Sequence, residues 1–354
     1  MGVMTMTAAE AANERSVGVA DGSREIPGSG TRSRLDLHAL LARWGVIAGF
    51  IAMVIFFAAM RPDTFATWQN ARSIINASPI LIIFGCIVTA TMVLGEFDIS
   101  FPNLADLSSI VIAVLVTTGG LSAGVELMFA VALGILASVA LGALTGFLVA
   151  SGRVHSFVIT LAIASVASGL ELTASDRLPN GQKQLSSLGL PSGLQRLGTA
   201  STMGGVRVAF LVAVVVGAIT WFVLRRTVVG RRIHAVGGNS RAAELAAVPL
   251  RRIRFGVFVV GGALAGLAGL LGVAQRGYIP TASPPLMLSS YTAVFLGASV
   301  LGLRRFNVGG TLLAIVFLQT LSNGLSLMNQ DRWLASVITG SVLLVAVMTN
   351  RRGA

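Results

Sequence analysis

Apolar residues in this chain fall into long, nearly unbroken runs, too continuous to be the single buried stripe of a soluble helix. About 20 residues are needed to cross the hydrocarbon core of a bilayer. Ten runs approach or reach that length: 44–60, 79–94, 104–116, 127–150, 157–174, 208–224, 255–273, 286–302, 308–328 and 334–348. They predict an all-α polytopic membrane protein with about ten transmembrane helices, two of the spans being short. Residues 1–43 are different: rich in Gly, Ser, Thr, Ala and charge, they read as a largely disordered tail. Within that tail Leu35, Leu37, Leu40 and Leu41 mark one face of a short interfacial helix over 35–43. The membrane domain then occupies 44–350, and 351–354 form a C-terminal stub.

Two regions are interrupted by non-helical breaks. Gly95-Glu-Phe-Asp-Ile-Ser-Phe-Pro-Asn103 divides the first half and Gly302-Leu-Arg-Arg-Phe-Asn307 the second. A broken helix exposes backbone groups that only a protein-lined cavity can satisfy, so such breaks point to a transport pathway. Gly95, Asp98 and Ser100 in the first break are therefore candidates to form or support that pathway. Asn323, a polar residue inside the run 308–328, joins them because it needs a partner within the membrane. Alternatively, Asp98 caps a helix and Asn323 bonds a neighbouring helix. Asp106 and Glu171 are two further carboxylates near or inside spans.

Composition supports the membrane reading: 54% of residues are hydrophobic and 11% charged, against about 25% charged in a soluble domain. The net charge of +12 would suggest nucleic acid, but the basic residues cluster between apolar runs instead of forming one basic domain. With the N-terminus inside, 18 basic residues fall on the inner side and 8 on the outer, which places both termini in the cytoplasm. The most basic loop, 225–254, holds a helix-like island from Ser240 to Val248, capped after the Gly237-Gly238 turn and closed by Pro249. A short helix held between two spans is a docking knob for a cytosolic protein. The single cysteine, Cys86, excludes an intrachain disulfide.

Chemistry is sparse. The one lysine, Lys183, stands in Gly-Gln-Lys-Gln, so a Walker A loop is absent and the chain is not itself a P-loop ATPase. His38, His155 and His234 are far apart, without zinc-ligand spacing. The expectation is a non-enzyme with no cofactor and no metal of its own.

Three stretches resemble the membrane permease of ribose-type bacterial ABC sugar importers. They are Gly95-Glu-Phe-Asp98-Ile-Ser100, Ala235-Val-Gly-Gly-Asn-Ser-Arg-Ala-Ala-Glu-Leu245, and Gly309-Gly-Thr-Leu-Leu with Leu321-Ser-Asn-Gly-Leu325. The chain departs from the family's pattern at Phe101-Pro102-Asn103, at Leu303-Arg304-Arg305-Phe306 and at Ala247, where a glycine is common. The resemblance implies an inner-membrane permease working with a second permease subunit, identical or different, and an extracytoplasmic solute-binding protein. It also implies that ATP is bound by a cytosolic ATPase, which would dock on Gly237, Gly238, Asn239, Ala242, Ala243, Leu245 and Ala246. The alternative class is an ion-coupled secondary transporter, and a third is a membrane enzyme acting on lipid.

Overall fold

The computed structural model describes residues 37–118, 123–202, 204–299 and 305–351. Fifteen α-helices occur among them: α1 (Leu37–Met60), α2 (Pro62–Phe65), α3 (Trp68–Ala77), α4 (Pro79–Leu94), α5 (Phe101–Thr118), α6 (Ala123–Ala150), α7 (Ser156–Ser175), α8 (Ser192–Thr199), α9 (Val208–Arg226), α10 (Val228–Gly238), α11 (Ser240–Leu245), α12 (Leu250–Arg276), α13 (Pro285–Ser299), α14 (Val308–Leu327) and α15 (Arg332–Arg351). One two-residue antiparallel pair, β1 (Leu185–Ser186) with β2 (Gly277–Tyr278), is the only sheet among the described residues.

Each of the ten apolar runs coincides with a helix as far as its residues are described, 300–302 of the run 286–302 lying outside them, although not every helix is a full span. Among the described residues six helices are long and apolar enough to cross a membrane: α5, α6, α7, α9, α12 and α14. A seventh crossing is obtained if α3 and α4, bent by 46° where Pro79 follows Ser78, count together. Helices α1 and α15 carry shorter apolar stretches, and α13 is described from Pro285 to Ser299, beyond which 300–304 lie outside the described residues. The expected interfacial helix is not a separate element, because Leu37–Met60 is continuous. Leu35 and the rest of the tail lie outside the described residues, as do 352–354.

Helix α12 is the centre of the bundle, packed against α4, α5, α6 and α8. Small residues permit this. Gly142 and Gly262 face each other so closely that a Cβ on Gly142 would lie 2.9 Å from the Gly262 Cα, and one on Gly146 would meet the Phe255 carbonyl oxygen at 2.8 Å. Between helices in a membrane the gain comes from such van der Waals contact and from hydrogen bonds. Ser108, Ser109 and Ser138 supply the latter: they donate to the carbonyl oxygens of Gly266, Gly269 and Leu104. Outward-facing Phe129, Leu136, Phe147, Leu161, Ile219 and Phe222 are exposed, as lipid-facing side chains must be.

The late-span motifs serve packing. Gly310 seats against Gly297, the Thr311 hydroxyl meets the Thr89 hydroxyl at 2.9 Å, and Gly324 receives the Phe57 ring. The polar loop after α7 is likewise more than a connector, because β1 pairs with β2 and Gly198 of α8 lies directly on the Ala274 carbonyl at the end of α12.

Candidate functional site

The first break spans 95–100, shorter than the expected 95–103. Phe101, Pro102 and Asn103 already belong to α5, since proline is tolerated in a helix's first turn. Gly95 ends α4 in a left-handed conformation (φ 81°), its N–H directed to Met92 O, while Glu96 N–H reaches Thr91 O. On the other side Asp98 Oδ1 accepts from the Ser100 N–H (2.8 Å) and hydroxyl (2.6 Å), and Ser100 O accepts from Leu104 N–H at the start of α5. Asp98 therefore shapes the helix start, and the carboxylate is buried.

Three other helices clamp the break. The Tyr291 hydroxyl of α13 donates to Asp98 O (2.6 Å) and accepts from Asp98 N–H (3.2 Å), with its ring stacked on Phe97. Ser156, opening α7, accepts from Phe97 N–H at 3.0 Å. Glu96 Oε1 lies 2.8 Å from Arg254 Nε of α12, an ion pair without the alignment of a hydrogen bond.

The loop 225–254 is two helices. Helix α10 starts under a Thr227 cap, buries Gly230, Ile233 and Val236, and ends in Gly237 and Gly238, which are helical and not a turn. Asn239 caps α11 by accepting from Ala242 N–H (3.0 Å). This helix is six residues long and stops earlier than expected: Val248 N–H bonds Ala243 O and Ala247 N–H bonds Glu244 O, a Schellman turn before Pro249. Ala247 holds its left-handed position with φ 57°, where glycine would be unstrained. Ala243 is buried (5% exposed), whereas Ala242, Ala246 and above all Leu245 (79%) face outward.

The break and α10 meet. A Cβ on Gly237 would collide with the Val93 carbonyl oxygen, and one on Gly95 would touch the Gly237 Cα at 3.5 Å. Two groups of residues more than 130 positions apart in the chain are thus in direct backbone contact. Asn323 is not part of this meeting. It lies twelve residues beyond Thr311, roughly 18 Å further along α14, and its buried Oδ1 has no hydrogen-bond partner among the described residues. Of the second break, 302–304 lie outside the described residues, and Asn307 caps α14 through Gly310 N–H at 2.7 Å.

At the opposite end of α12 two buried carboxylates hold the connector between α12 and α13. Asp106 accepts from Ser283 N–H (2.9 Å) and hydroxyl (2.6 Å); Glu171 Oε1 accepts from the Tyr278 hydroxyl (3.0 Å) and Thr281 N–H (2.9 Å). Sequence reasoning singled out the acids but missed their partners and Tyr291. The chain has only two tyrosines, both after α12, and that scarcity in an apolar chain was the available signal.

Among the described residues no group of three or more His, Cys, Asp or Glu side chains could hold a metal ion. One Gly-x-Ser-x-Gly spacing, Gly120-Leu-Ser-Ala-Gly124, occurs in the sequence; 119–122 lie outside the described residues, and the last described element before them is helix α5.

The family described as "Branched-chain amino acid transport system / permease component" matches residues 70–347. The ribose import permease protein RbsC of Bacillus subtilis (strain 168) is 29% identical over 91% of this chain and 96% of its own. The L-arabinose ABC transporter permease protein AraH of Azospirillum brasilense is 30% identical over 90% of each. The D-allose transport system permease protein AlsC of Escherichia coli (strain K12) is 27% identical, covering 87% and 91%. No solved structure matches the chain.

Proposed function

This chain belongs to the family of branched-chain amino acid transport system permease components, and on that premise we propose that it is the membrane subunit of an ATP-binding cassette importer for a sugar or sugar-like polar solute. The observation that carries the reading is mechanical. A capped helix with an exposed leucine, α11, continues through α10 into backbone contact with the hinge between α4 and α5. A cytosolic ATPase gripping α11 would move α10, and Gly237 would press on the break at Gly95. Because Tyr291, Ser156 and Arg254 bind the break to three further helices, that displacement would be shared across the bundle. Asp98 and Ser100 support the pathway here by keeping the start of α5 intact. ATP is bound by the partner, the solute is delivered by an extracytoplasmic binding protein, and a second permease subunit completes the pore. The basic end bearing α10 and α11, and both termini, then face the cytoplasm of the bacterial inner membrane.

Proteoliposomes containing the chain, its ATPase and its binding protein test the reading. Uptake of the labelled sugar or sugar derivative that the binding protein carries should require ATP, and the chain alone should hydrolyse none. Uptake driven by an ion gradient without ATP would establish the secondary-transporter alternative instead. Leu245→Asp should reduce ATPase capture while leaving insertion intact. Ala243→Asp is a poorer probe, because that side chain is buried and the change would damage α11 itself.

A further inference from the structure

At the end of the bundle opposite α10 and α11 lies a polar cavity of about 520 Å³ between α3, the start of α9 and the end of α12. Its chemistry is one-sided. Arg72, Arg207 and Arg276 all line it, and no carboxylate does. The Gln275 side-chain amide nitrogen, also in the lining, is buried with no hydrogen-bond partner among the described residues. The carboxylate in electrostatic reach of Arg276 is Asp106, whose two oxygens are already taken by Ser283.

The surroundings hold this arrangement in place. Asn76 donates to Gly205 O (3.1 Å) and accepts from Arg207 N–H (2.8 Å), tying the segment before α9 to α3. Arg72 lies so close over Gly205 that a Cβ there would collide with its guanidinium. An excess of charged donors, with a buried amide donor still unpaired, calls for a ligand that offers several acceptor oxygens and negative charge. We infer that this cavity is an anion subsite that takes the carboxylate or phosphate group of a small solute, so that the permease serves an acidic sugar derivative. The substrate class rests on the importer reading; the anion subsite itself does not.

The test uses the purified full chain in nanodiscs of phosphatidylcholine, with titration calorimetry of glucuronate, glucose 6-phosphate and glucose. Glucuronate or glucose 6-phosphate should bind and glucose should not. Arg72→Gln and Arg276→Gln should each weaken anion binding by about tenfold or more, the loss expected for one charge-assisted contact. Arg196→Gln removes an exposed charge on α8 at the same end and should leave binding unchanged. Unaltered elution profiles on size exclusion will show that the variants fold. Absence of anion binding, equal binding of glucose, or equal loss in Arg196→Gln would overturn the subsite. If adding phosphatidylglycerol to the nanodiscs abolishes solute binding, the site belongs to a lipid headgroup and the solute assignment fails. No ATPase and no ATP are present, so a negative result leaves the importer reading standing. Ion-driven uptake would remove that reading without touching the subsite.

Discussion

Single positions carry unequal weight here, and glycine shows it best. Gly237 is one of 41 glycines, and nothing in its sequence context distinguishes a close approach from an ordinary flexible joint. In the fold its missing Cβ is what lets α10 rest on the Val93 carbonyl. Gly237→Ala must push the two backbones apart, an overpacking that costs about 1–3 kcal/mol; co-purification with the ATPase should persist while ATP-driven uptake falls sharply. Wild-type uptake would show that the contact transmits nothing. Ala247 predicts the opposite sign. A non-glycine residue in the left-handed region is disfavoured by roughly 1–2 kcal/mol, so Ala247→Gly should stabilise the α11 turn and raise the thermal midpoint of the purified chain. Tyr291→Phe severs both hydrogen bonds to the Asp98 backbone, each worth about 1 kcal/mol. Reduced uptake with normal assembly is expected, and Asp98→Asn, which keeps an acceptor for Ser100 N–H, should be milder.

At the level of elements, periodicity and length were legible and termination was not. Over their described residues the ten apolar runs are helical because a backbone in lipid has to satisfy its own hydrogen bonds. What decides where α13 begins is tertiary: the connector before it is held by Asp106 and Glu171, and the helix starts at Pro285. Sequence could name those acids as expensive in a membrane, but not their partners, 107 to 177 positions away. In a chain with 41 glycines the spacings Gly142–Gly146 on α6 and Gly262–Gly266 on α12 single out nothing by themselves, and only their facing geometry gives them meaning. Gly262→Leu would insert a side chain where a Cβ alone would already meet Ser138 O at 2.6 Å. The α6–α12 seam should open, and the protein should lose its monodisperse elution in detergent. A sharp elution peak from this variant would mean that the seam adjusts at little cost.

Across the whole molecule, α5 links the two ends. Its start is the break clamped by Tyr291 and pressed by Gly237, and one and a half turns later Asp106 grips the connector that leads into α13. Tyr291 itself belongs to α13, so α13 is tied to the break before α5 through the Asp98 backbone, and the connector leading into α13 is tied to α5 through Ser283. Two such fastenings, at Asp98 and at Asp106, would make the two segments move as one body, which is what a stroke begun at α11 requires if it is to reach the far end. Weakening the second fastening should therefore leave ATPase docking alone and degrade coupling. In proteoliposomes with the full complex, Ser283→Ala and Asp106→Asn should lower solute transported per ATP hydrolysed, with hydrolysis itself retained. The paired substitution should be no worse than the stronger single one, since both remove the same contact. If the ratio stayed at the wild-type value in both variants, α5 and α13 would have to be moving independently, and the Asp106 contact would be no more than an anchor for the connector.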